Sequence, residues 1–89
     1  MSNAKLINHN DNEELYHLVE NLCITSGLPL PQIYIIQDES PNAFATGRNP
    51  KHAIICVTSG LLKILNKTEL ESVIAHELSH IKNYDILIA

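Results

Sequence analysis

The sequence predicts a small α+β fold, a three-stranded sheet at least partly antiparallel with helices packed against it. Two patterns carry this expectation. Apolar residues recur at helical period in two stretches, one near each end, and between them lie short apolar runs of strand length bounded by Gly, Pro and Asn. A chain of 89 residues holds one domain at most. It is 45% hydrophobic and 18% charged, the balance of a globular protein rather than a disordered one.

Asp11 and Glu14 have capping-box spacing, and Leu15, Leu18, Val19 and Leu22 follow at helical period, so a first helix is expected over 12–26 with Gly27 as its stop. Pro29 and Pro31 enforce an extended entry to Ile33–Ile36, a strand apolar on both faces and therefore central. Asp38 to Pro41 reads as a turn and Ala43 to Thr46 as a second, short strand. Gly47 to Pro50 punctuates the way to a third strand, Ala53 to Thr58, which forms a hairpin with the second. Ser59 and Gly60 open a short helix through Leu65, ended by Asn66. Thr68 and Glu71 have capping-box spacing, which starts the last helix there and carries it to about Tyr84. Its apolar positions are Leu70, Val73, Ile74, Leu78 and Ile81.

The formal charge is −4 and the six basic residues are scattered, which excludes a phosphate-backbone partner and with it nucleic acid. Cys23 and Cys56 each lie in an apolar segment and read as two buried thiols of a reducing compartment, with a disulfide between them as the alternative. The polar stretch Met1 to Asn12 is no signal peptide, and no apolar run reaches the roughly 20 residues that span a bilayer. Met1 to Ala4 has the look of an expression-vector remnant, and the chain closes on the apolar Ile86-Leu87-Ile88-Ala89. Both ends are expected of a piece taken from a longer protein, with 5–89 as the N-terminal part of its domain.

The chemistry lies on the last helix, in His76-Glu77-Leu78-Ser79-His80. Residues four apart share a helix face, with Cβ atoms about 6 Å apart, so the two imidazoles can converge on one zinc ion at about 2.0–2.1 Å. Glu77 is turned about 100° from His76, so it is placed as the general base for a water nucleophile rather than as a ligand. Val73, Ile74 and Leu78 flank the motif, from which this part of the helix is expected to be largely buried. Catalytic zinc usually takes a third protein ligand. Asp85 is open to three readings: that ligand, a partner fixing a histidine tautomer, or a plain helix-terminal residue. His9, His17 and His52 read as solvated surface residues.

Three stretches resemble the HtpX-like membrane zinc metalloproteases, relatives of the CAAX prenyl proteases. They are Asn42 to Gly47, Val57 to Leu62, and Glu69 to Asn83 together with Asp85. The resemblance implies a small zincin-like half-domain with its active-site helix at the C-terminus. It implies a Zn2+ cofactor held by His76 and His80, with Glu77 as general base and the third ligand, a glutamate, downstream of Ala89. It further implies an integral membrane protease whose site faces the cytoplasm, acting on misfolded membrane proteins. The 89-residue piece by itself is then expected to be inactive. Asn42-Ala43-Phe44 also resembles the edge strand of thermolysin-like zinc proteases, where Asn and Ala hold the substrate backbone; a turn residue followed by core filler is the competing reading. Two other functions compete. A zinc amidohydrolase such as a peptide deformylase uses the same pentapeptide with a Glu-Gly-Cys-Leu signature, whereas Cys56 lies in Ile-Ile-Cys-Val. A non-catalytic interaction module that kept the helix is the other.

Overall fold

The computed structural model describes residues 4–8, 10–47 and 50–83. Four strands form one mixed sheet in the order β1-β2-β4-β3, with β1 at Ala4–Leu6, β2 at Gln32–Ile36, β3 at Ala43–Gly47 and β4 at Ala53–Thr58. Helix α1 covers Glu13–Ser26, α2 Ser59–Ile64 and α3 Lys67–Lys82. The hairpin of β3 and β4 is present, antiparallel, with Ala43 opposite Val57 and Gly47 opposite Ala53. β2 is central, as its two apolar faces require.

The sheet has one strand more than the sequence predicts. β1 arises within the polar leader, where Ala4, read as part of a vector remnant, stands opposite Ile36, and Leu6 opposite Tyr34. Three residues with no alternation give no strand signal; their pairing is supplied by the free edge of β2. β2 and β4 run parallel, Ile33 beside Ile55 and Ile35 beside Val57.

The core lies on one face of this sheet. Ile33, Ile55 and Val57 meet Leu15, Leu18, Val19 and Cys23 of α1 and Leu70, Ile74, Leu78 and Ile81 of α3, all buried. The opposite face carries the row Leu6, Tyr34, Cys56 and Phe44, aligned across all four strands.

Both long helices are capped at residues other than those the sequence reading gives. The Asp11 carboxylate is occupied by the Asn8 N–H at 2.9 Å, so the N-cap of α1 falls to Asn12, whose Oδ1 accepts from Leu15 N at 3.1 Å. In α3 the capping box is Asn66 with Glu69, at 2.8 and 3.0 Å, two residues upstream of the Thr68–Glu71 pair. Asn66 thus opens the last helix rather than closing the short one. α1 stops at Gly27, which is left-handed with φ 74°, and the amides of Leu28 and Gly27 turn back onto the carbonyls of Cys23 and Ile24. Tyr84, the expected end of α3, lies outside the described residues.

Cys23 and Cys56 are both free and buried. Burial pushes the Cys23 thiol from its ordinary 9.0 up to about 11 and raises Cys56 as well. The folded state therefore keeps its proton where the unfolded thiol loses one, so this contribution is intact below pH 9 and is lost as pH rises toward 11. Denaturant midpoints measured across that range are expected to fall for the wild type and to fall less for Cys23→Ala. Equal slopes for the two proteins would contradict the burial of this thiol.

Candidate active site

α3 is a helix of two faces. Leu70, Ile74, Leu78 and Ile81, at spacings of four, four and three, are buried against the sheet, while Ala75, His76 and Ser79 are exposed and Glu77 and His80 partly so. The expectation of a largely buried motif is therefore incorrect. Leu78 lies inside the pentapeptide, yet it points to the core, and the histidines are turned away from it by the helical rotation. Ser79 donates to the His76 carbonyl at 2.7 Å, which keeps its hydroxyl on its own helix.

The two histidines converge. His76 Nε2 and His80 Nε2 are 3.1 Å apart, with ring centroids at 4.6 Å and ring planes at 89°. Two nitrogens bound at about 2.0–2.1 Å to one tetrahedral ion stand roughly 3.3 Å apart, so the pair already has the spacing of two ligands on a shared ion. The donor set suits zinc: two imidazoles, one helical turn apart. Among the described residues no third His, Cys, Asp or Glu completes a cluster with them. Asp85, weighed as that ligand or as a tautomer-fixing partner, lies outside the described residues.

Ala43 and Phe44 open β3, with Asn42 directly before it; β3 is an edge strand, and α3 packs against it. Thr58 N donates to the Asn42 carbonyl at 3.0 Å, which makes residues 42 and 58 a hydrogen-bonded pair. In an antiparallel ladder such pairs alternate, so Phe44 and Thr46 also bond to β4, while Ala43 and Ala45 turn their N–H and C=O to the open edge. The Asn42 side chain accepts the outward Ala43 N–H at 2.9 Å. Phe44 is 41% exposed, so it is no core filler. Ala43 and Ala45 are the residues of β3 that pack toward the core.

One residue of this region escapes the sequence reading. Thr58 caps α2, its hydroxyl accepting from Leu61 N at 3.2 Å. The signal available was a Thr one residue ahead of the expected helix start.

The converging histidine pair thus lies on a helix that packs against an edge strand of the sheet. Residues 9–89 match Peptidase family M48, and the chain belongs to that family. Among its relatives are proteases of the HtpX type. It is 60% identical over all 89 residues to a protease HtpX homolog of Tropheryma whipplei (strain Twist), covering 31% of that protein. It is 58% identical over 86 residues, 97% of this chain and 30% of the relative, to one from Thermococcus kodakarensis. A third, from Lactobacillus helveticus, is 51% identical over the whole chain and is covered over 30% of its length. The chain thus spans about 30% of the length of the curated relatives it matches.

The edge assignment makes a stability test possible. Proline at residue 45 removes an N–H that faces away from β4, whereas proline at residue 44 removes a ladder bond. Ala45→Pro is expected to melt close to the wild type, and Phe44→Pro to lose more than about 1 kcal/mol for the broken bond. The reverse order in thermal melts followed by circular dichroism would mean that the ladder has the other phase.

Proposed function

We propose that this segment carries two of the metal ligands and the general base of a zinc-dependent metalloendopeptidase. The observation that carries the reading is the 3.1 Å approach of the two Nε2 atoms within a His-Glu-x-x-His helix of a Peptidase family M48 chain. His76 and His80 would hold the zinc, with Asp85 or a residue elsewhere in the full-length protein as the third ligand. When bound, zinc supplies the Lewis acidity that lets a water be deprotonated near neutral pH. Glu77, one helical step from His76, takes that proton on its carboxylate and returns it to the leaving amine. Ala43 and Ala45 hold an extended peptide by main-chain hydrogen bonds, the peptide displacing the Asn42 side chain from the Ala43 N–H, and alternate substrate side chains fall on either face of the sheet. By the same resemblance the full-length protein works in the cell membrane, with this domain on the cytoplasmic side, and clears misfolded membrane proteins. Among the described residues no helix is long and apolar enough to cross a membrane.

Glu77→Gln in the full-length protease is expected to abolish casein cleavage and leave the zinc content unchanged, because the carboxylate is a base and not a ligand. Cleavage retained at more than a few per cent of wild type would end the assignment. Zinc content lost with activity would instead make Glu77 a ligand.

The 89-residue chain alone is expected to fold without metal, to bind zinc only weakly and to cleave nothing. Its core residues all belong to the helices, the sheet and Ile7, none of them to the histidine pair. Calorimetric titration of zinc into the metal-free chain measures this directly. Submicromolar one-to-one binding would mean that a third ligand is already present, with Asp85 the first to replace.

A further inference from the structure

We propose that Thr58 is a positioning residue for the substrate-holding edge, fixing Asn42 and through it the outward amide of Ala43. The inference rests on the reading of β3 as the edge that holds an extended peptide.

Thr58 is a buried polar side chain, 4% exposed, at the junction of β4 and α2. Its hydroxyl donates to the Ser40 carbonyl at 2.7 Å and accepts from Asn42 N at 2.9 Å and Leu61 N at 3.2 Å. The Asn42 carbonyl also lies 3.3 Å from the same oxygen. One donor and two acceptors are the full capacity of a hydroxyl, so Thr58 has nothing left with which to touch a substrate. Its effect must pass through the residues it holds.

Asn42 is held at both ends by this one residue. Its carbonyl takes the Thr58 main-chain N–H at 3.0 Å and its own N–H goes to the Thr58 hydroxyl. In a regular antiparallel pair that N–H would meet the partner's carbonyl. Thr58 is the N-cap of α2, and an N-cap commits its carbonyl to the helix it opens, so the hydroxyl takes over as acceptor. The rest of the loop is clamped to the same junction. Ser59 Oγ and the Gly60 amide both bond to Asp38, and a Cβ on Gly60 would collide with the Glu39 carbonyl. Beyond Asn42 the next group is the Ala43 N–H, covered by the Asn42 side chain at 2.9 Å. The position of the first outward donor of β3 is therefore set by the Thr58 hydroxyl.

Thr58→Val keeps the shape and removes the hydroxyl; Thr58→Ser keeps the hydroxyl. In the full-length protease that carries this segment, the valine variant is expected to raise KM for a peptide substrate on the order of tenfold, the loss of one main-chain hydrogen bond made equally in the ground and transition states. Its kcat per folded molecule should hold, and serine should restore KM. Hydrogen exchange at Asn42 and Ala43 should quicken in the valine variant, with α3 unchanged. Should that variant fail to fold, Thr58→Cys, which keeps a weak donor and acceptor, is read in its place. A KM equal to wild type, or a loss of activity that follows only the folded fraction, would overturn the assignment. Ala45→Pro, assayed in parallel, separates the two layers. Normal turnover there would remove the edge reading and this inference together, whereas lost turnover there with an unchanged KM in Thr58→Val would remove this inference alone.

Discussion

The burial of Leu70, Ile74, Leu78 and Ile81 against the sheet governs the geometry of everything else in this molecule. A helix that must put those four positions inward has one rotation available, and that rotation sends His76 and His80 outward on a shared face. The convergence of the two imidazoles follows from spacing along the chain; their accessibility follows from the core. Glu77 falls between the two faces, partly buried, where neither requirement claims it.

The same helix brings the histidine pair and an edge of the sheet together. α3 lies along β3, an edge strand, so the two are neighbours by packing rather than by sequence. The small side chains of Ala43 and Ala45 face the core on that strand, which suits a close helix. β3 in turn is held by β4, and its entry by the junction of β4 with α2, so its outward main-chain groups stand on the rigid part of the fold.

Much of this was legible in the chain, and the limits are physical. The pentapeptide, the two amphipathic helices and the apolar strands are local patterns, and each is where its pattern placed it. β1 was not legible because three residues pair by virtue of a neighbour's free edge, not of their own alternation. The parallel pairing of β2 with β4 is equally invisible to local periodicity. The capping registers failed for a different reason: competing Asn, Asp and Thr residues lie within two positions of one another, and hydrogen bonds elsewhere decide which is free to cap. The exposure of the motif is set around the helix and not along the sequence: Ile74 and Leu78 share one side and His76 and His80 another.

The place of β4 in the sheet has a kinetic consequence. β3 and β4 are close in sequence and can zip together as a hairpin, but β4 must also slot in beside β2, whose partner residues are 22 positions earlier, as Ile33 and Ile55 are. Closing that loop costs entropy before it brings contacts, so parallel pairing of this kind is slow relative to hairpin formation. Until it happens, α3 has only an incomplete sheet to dock on. The histidine-bearing face of the helix is then among the last features to become fixed, and an emerging chain would hold its histidines in a loosely ordered helix until the central strand is seated.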